Sequence, residues 1–203
     1  MKKSIIYLFI SFIIVSGINC SVYETIVNIS RLTFKLGQVN NFKLNGVNIS
    51  NKSKLSDFTA QEILMISSAV ANGKLPVSFT LNVEAKNPND GTGGYPRTGA
   101  TIKSFPWRLL IDEKETISGN IGNSIYVPGT GEATNFPLEM NLDLVNFFNS
   151  KGYESLINLA LNIGGQGGSP SQLTVFAQPV VTTTLGDIRY PDEVKIVDYQ
   201  FNK

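Results

Sequence analysis

The stretch Leu75-Pro76-Val77-Ser78-Phe79-Thr80-Leu81-Asn82-Val83-Glu84-Ala85, followed by Lys86 and by Asn87-Pro88-Asn89, decides the fold class. Val77, Phe79, Leu81, Val83 and Ala85 recur at every second position with polar residues between them. One face is therefore apolar and the other polar, the pattern of a half-buried strand in an antiparallel sheet. Pro76 lacks an amide hydrogen and suits only the start of the strand. At the far end Pro88 halts the ladder, while the side chains of Asn87 and Asn89 can bond nearby backbone. Asn87-Pro88-Asn89 thus reads first as a structural corner and only second as a ligand contact.

The same period extends outward. Ile26, Ile29, Leu32, Phe34 and Leu36 precede the stretch, as do Phe42, Leu44, Val47 and Ile49, with Asn-Gly and Gly punctuation between them. Further strands are expected at Ala100 to Ile111, Glu115 to Val127, Glu132 to Met140, Gln172 to Thr184 and Glu193 to Phe201. Short strands separated by Gly and Pro turns specify an all-β chain with short helices, built as an antiparallel sandwich. Two segments depart from period two. Leu55 to Ala71 carries a capping box, Thr59-x-x-Glu62, and ends at Asn72-Gly73. A second helical stretch runs from Leu142 to Ile163, interrupted near Gly152. Gly164 to Gly168 then form a loop, and neither this run nor Gly91-Thr92-Gly93-Gly94 has the following helix and Lys of a phosphate cradle.

Composition narrows the function classes. With 203 residues, 42% hydrophobic and 16% charged, the chain fits a globular domain and not a disordered, collagen-like or coiled-coil protein. It has no histidine and one cysteine, Cys20. Histidine-ligated zinc, Ser-His-Asp triads, Cys-His pairs, CxxC redox motifs and an internal disulfide are all excluded. A net charge of +1 argues against a nucleic-acid partner. No cofactor is expected, and an enzyme would have to use carboxylate, Lys, Tyr or Ser-Lys chemistry.

The N-terminus carries a location signal. Lys2 and Lys3 precede a short apolar run from Ile5 to Val15, then Ser16-Gly17-Ile18-Asn19-Cys20. A run of this length is too short to span a bilayer, which takes about 20 residues, and has the layout of a secretory leader. The lone cysteine directly behind it resembles the lipidation site of a bacterial lipoprotein. On that reading residues 1–19 are a signal peptide, Cys20 is the lipidated first mature residue, and 21–203 form a single domain. An ordinary cleaved leader and an uncleaved anchor helix are the alternatives. Two or more acyl chains would make the anchoring stable.

Four segments then carry a wider resemblance: LPVSFTLNVEAKNPN at 75–89, ATIKSFPWRLLIDEKETISGNI at 100–121, VPGTGEATNFPLEMNLDLVNFF at 127–148 and YPDEVKIVDYQF at 190–201. In order and spacing they resemble the late embryogenesis abundant group 2 family, the water stress and hypersensitive response domain, in its bacterial lipoprotein form. The resemblance implies a fibronectin-III-like or immunoglobulin-like sandwich and a role in desiccation or general stress, with no catalytic site. Asn87, Pro88 and Asn89 match its signature turn.

The remaining candidates have plainer readings. Trp107, behind Phe105-Pro106 and among Ile102, Leu109 and Ile111, is expected in the core and not on a sugar-stacking platform. Asp112-Glu113 and Asp192-Glu193 are adjacent carboxylates, which point to opposite faces if they lie on strands. Asp112-Glu113-Lys114-Glu115 reads as a solvated hairpin turn. The leading expectation is a monomeric, non-enzymatic, lipid-anchored envelope protein that protects or binds other molecules. A second reading makes it a carrier of a lipid or other apolar ligand in a cleft between the sandwich and the helices Leu55–Ala71 and Leu142–Ile163. A third, a carboxylate-dependent hydrolase, requires two acidic groups to converge within roughly 5–10 Å.

Overall fold

In the computed structural model, which describes Val27 and residues 31–164, 171–183 and 185–199, the alternating stretch is the spine of one layer. The strands are β1 (Thr33–Leu44), β2 (Val47–Asn48), β3 (Pro76–Lys86), β4 (Ala100–Ser104), β5 (Trp107–Ile111), β6 (Lys114–Gly119) and β7 (Ile125–Val127). Then come β8 (Ala133–Asp143), β9 (Leu173–Ala177), β10 (Val180–Thr183), β11 (Gly186–Arg189) and β12 (Val194–Tyr199). The first layer has the order β2-β1-β3-β8. β3 and β8 pair without a register shift from Pro76 opposite Asp143 to Lys86 opposite Ala133. β1 reaches β3 through two bulges, and Asn45-Gly46, both at positive φ, turn it tightly into β2.

The second layer consists of two four-stranded ladders, β11-β10-β4-β7 and β12-β9-β5-β6. Their orders correspond strand for strand, so the layer is one sheet of four long strands, each broken once. The breaks coincide with Phe105-Pro106, Gln178-Pro179, residues 120–124 and residues 190–193, which include Pro191. Proline removes a ladder donor at three of these points. The seam is held by other bonds: Gln178 N–H donates to the Pro106 carbonyl at 2.9 Å, Tyr190 N–H to the Pro179 carbonyl at 2.9 Å, and Phe105 N–H to Asn120 Oδ1 at 2.7 Å. Phe105, at the break, inserts between Phe34 of β1 and Phe136 of β8, with ring centroids 5.3 and 5.1 Å away. The pairings within both layers are antiparallel, and the two layers share one apolar core. This is the expected fibronectin-III/immunoglobulin-like β-sandwich with short helices.

Several boundaries differ from the sequence reading. The sequence pattern makes Ala100 to Ile111, Glu115 to Val127 and Gln172 to Thr184 one strand each, and each contains the break just described. Gly186–Arg189 forms a strand that the alternation did not mark. Leu142 and Asp143 remain in β8, and the following helix starts only at Leu144. Asp143 causes that switch, because its Oδ1 accepts the N–H of Val145 at 3.0 Å and of Leu75 at 2.8 Å.

The helices gather at one pole. A short 3-10 turn, Leu55–Asp57, precedes α1 (Ala60–Ala71); α2 (Leu144–Phe148) and α3 (Tyr153–Ile163) follow β8. Thr59 and Glu62 form the expected capping box. Gly73 at φ +71° closes α1, with Lys74 N–H donating to the Ala69 carbonyl and Gly73 N–H to that of Val70. α3 buries Leu156, Ile157, Leu159, Ala160, Leu161 and Ile163, whereas α1 buries only Ile66. The opposite pole collects the start of β1, the end of β3, the start of β4, the end of β7, the start of β8 and the β10–β11 turn.

Candidate functional site

That second pole contains the Asn87-Pro88-Asn89 corner. Asn87 is fully buried, and Asn89 nearly so. The amide nitrogen of Asn87 donates to the carbonyls of Thr98 at 2.8 Å and Val127 at 3.3 Å. Its Oδ1 accepts the N–H of Asn89 at 3.2 Å, and its main-chain carbonyl accepts that of Gly131 at 3.1 Å. One side chain thus joins the end of β3 to the segment entering β4 and to the end of β7. Pro88 ends the ladder, and its carbonyl accepts the N–H of Asp90 at 3.0 Å. The Asn89 carbonyl accepts from Thr98 N–H at 3.0 Å, and its Oδ1 accepts from Arg31 Nη1 at 2.8 Å.

Clearance is as important as bonding here. A Cβ at Gly129 would lie 2.4 Å from the Asn89 carbonyl oxygen and 2.7 Å from that of Thr98, so backbone would have to move for any other residue. Outside the buried clamp, the Arg31 guanidinium stacks over the Tyr95 ring at 3.8 Å. Bonds from the hydroxyl and N–H of Thr92 hold the Asp90 carboxyl below its usual range, with Arg31 contributing. The arrangement provides amides, carbonyls and an arginine already engaged with one another. Its chemistry is that of a fastening.

The polar face of the first layer is a second candidate. A shallow groove is lined by Lys35, Gly37, Gln38, Asn82, Glu84 and Asn135, and a neighbouring one by Asn41, Lys43, Ser78, Thr80, Glu139 and Asn141. These are the outward residues of β1, β3 and β8, placed side by side by register: Lys35 opposite Glu84 and Glu84 opposite Asn135.

The acidic pairs occupy other positions. Asp112 and Glu113, at φ +49° and +66°, form the two-residue turn between β5 and β6, and Asp112 Oδ1 accepts the N–H of Gln172 at 2.9 Å. Glu193 is gripped by Arg108, whose Nη2 lies 2.8 Å from Oε2 while Nη1 reaches Glu115 at 2.9 Å. The same guanidinium lies 4.3 Å from the centre of the Phe176 ring. Arg108 therefore holds the Glu193 carboxyl below its usual range. Trp107 is buried, its ring against Gly119, where a Cβ would come within 2.6 Å of it. Its indole N–H has no hydrogen-bond partner among the described residues. Among the described residues no three His, Cys, Asp or Glu side chains group as metal ligands, and no helix is long and apolar enough to cross a membrane.

Cys20, the leader and the glycines at 165–168 lie outside the described residues. Sequence reasoning found Asn87, Pro88 and Asn89 but not Arg31, Thr98, Val127, Gly129 or Gly131, which the topology brings to them. The only local signal for that group was the turn-rich Pro128-Gly129-Thr130-Gly131.

No protein-family model matches the chain. Among solved structures it is similar to a protein from Archaeoglobus fulgidus, with 9% identity, a TM-score of 0.31, and coverage of 62% of this chain and 87% of that one. It is similar to AT1g01470 from Arabidopsis thaliana at 14% identity and a TM-score of 0.35, covering 64% of this chain and 72% of that one. The putative ApaA protein from Bordetella pertussis is 11% identical with a TM-score of 0.34, covering 83% of this chain and 89% of that one.

Proposed function

We propose that the protein is a lipid-anchored, non-catalytic component of the cell envelope, of the late embryogenesis abundant group 2 type, which binds or protects other molecules under desiccation or related stress. The observation that carries this reading is the position of Cys20, the only cysteine in the chain, directly behind a basic and apolar leader. The four ordered segments support the family, and the engagement of the Asn87 corner with its own backbone supports a role without chemistry at that site.

The test compares two exported forms of the protein. The native chain should fractionate with membranes. Cys20→Ala, exported behind an ordinary cleavable leader, should fold equally well and appear in the soluble fraction, because acyl chains provide the anchoring. An unchanged membrane fraction would overturn the lipid anchor. The protective role is tested separately by drying a desiccation-sensitive enzyme with the mature protein or with equal mass of serum albumin. Greater retained activity supports protection, and equal activity removes that part of the proposal.

A further inference from the structure

The large apolar side chains exposed among the described residues are Leu64 and Met65 on α1, and Tyr95, Tyr126 and Leu185. The last three share the Asn87 pole. Tyr95 lies in the loop between β3 and β4, Tyr126 sits next to the end of β7, and Leu185 is in the β10–β11 turn. Thr182 of β10 and Tyr126 of β7 both pair with Thr101 at the start of β4, which fixes the two rims of this pole. Tyr126 is 62% exposed yet held in place, since a Cβ on Gly99 would fall 2.2 Å from its hydroxyl. Arg31 lies on the Tyr95 ring, Lys86 at the end of β3 and Arg97 in the following loop are exposed, and the acids of the same pole are Asp90, Glu132 and Asp187, the last paired with Lys103.

The chain enters at the same pole. Arg31 opens the continuous described chain and is bonded to Asn89 and stacked on Tyr95. Residues 21–30, which separate it from Cys20, can span at most about 40 Å when fully extended. An acyl anchor at Cys20 therefore attaches the domain at this pole, and the helical pole meets the bilayer only if the tether runs back along the sandwich, whose eleven-residue β3 is itself about 36 Å long.

We infer that the Asn87 pole is a membrane-facing surface, with Tyr95, Tyr126 and Leu185 seated at the headgroup level of the bilayer and the exposed Arg97 and Lys86 turned toward anionic lipid. Tyrosine suits that position because its ring is apolar and its hydroxyl wet, and arginine pairs well with phosphate. The tether supplies a high effective concentration, so a modest interfacial preference is enough to orient the domain. Leu64 and Met65 are then directed away from the membrane. The inference rests on the lipid-anchor reading above.

The experiment uses the full lipidated protein in vesicles of phosphatidylethanolamine and phosphatidylglycerol containing a lipid spin-labelled near the glycerol backbone. Three variants, Tyr126→Trp, Leu185→Trp and Leu64→Trp, each add an indole at an exposed site to the background of buried Trp107. Quenching severalfold stronger at 126 and 185 than at 64 is the expected result. Should Tyr126→Trp disturb its seat on Gly99, seen as a lowered melting temperature, Leu185→Trp against Leu64→Trp makes the same comparison. Protein that floats with the vesicles but shows equal quenching at both poles, or more at 64, overturns the orientation and leaves the anchor standing. Protein that does not float overturns the anchor and the orientation with it.

Discussion

The two poles of the sandwich close their ends by different means. At the helical pole α3 presents buried leucine and isoleucine side chains to the core, and what holds it is apolar volume, which is non-directional. At the Asn87 pole the strand ends are fastened by directed bonds from a buried amide and by the clearance at Gly129. The first closure should respond to lost volume in proportion to the cavity left. The second should fail when a single bonded group is removed, even at almost constant volume.

The largest effect is expected at the helical pole. Leu161→Ala removes a side chain that is 1% exposed, and should cost about 3 kcal/mol in urea unfolding. A loss below about 1 kcal/mol would mean that α3 is not part of the cooperative core. At the other pole Asn87→Ala should cost about 2 kcal/mol, because the carbonyls of Thr98 and Val127, the latter buried, lose their donor and the Asn89 N–H loses its acceptor. Gly129→Ala should cost a similar amount by displacing backbone, and the double variant should fall short of the sum because both changes loosen one clamp. Additive losses would contradict the description of a single unit. Any protective activity should decline in step with stability in Asn87→Ala. A large functional loss at constant melting temperature would instead mark Asn87 as a ligand contact.

How much of each pole was legible follows from how local its physics is. The capping box of Thr59 and Glu62 and the stop at Asn72-Gly73 lie within a few residues and were readable, as was the alternation of β3 with its proline at each end. The interruptions of the second layer are not legible, although Pro106 and Pro179 stand at two of them. Ile102, Leu109 and Ile111 keep the strand pattern on both sides of the break, and only the sheet-wide alignment shows all four strands broken together. The corner is half legible: Asn87 and Pro88 announce a strand end, but the carbonyls that the Asn87 amide serves arrive from 11 and 40 residues away in the chain.

A smaller effect is expected from Thr59→Ala, about 1 kcal/mol, through loss of the α1 cap. The Glu62 carboxyl of that box is held below its ordinary value of 4.5, first by Lys52 and then by the Thr59 N–H. Since folding lowers this pKa, its stabilisation is complete above pH 4.5 and is lost as the pH falls through the lower folded value. Glu62→Gln should flatten that part of the stability profile, and an unchanged profile would show that the pair contributes nothing. Smallest of all, Leu64→Ser should shift stability by less than about 0.5 kcal/mol, since the side chain is already in water.

The most direct measurement is the intact mass of the mature protein extracted from the membranes of its native host, followed by fragmentation of its N-terminal peptide. A chain that begins at Cys20, with acyl groups on that residue, is the predicted result. A chain that begins at Met1, or one that has lost the leader and carries an unmodified Cys20 thiol, would contradict the lipid-anchored envelope protein proposed here.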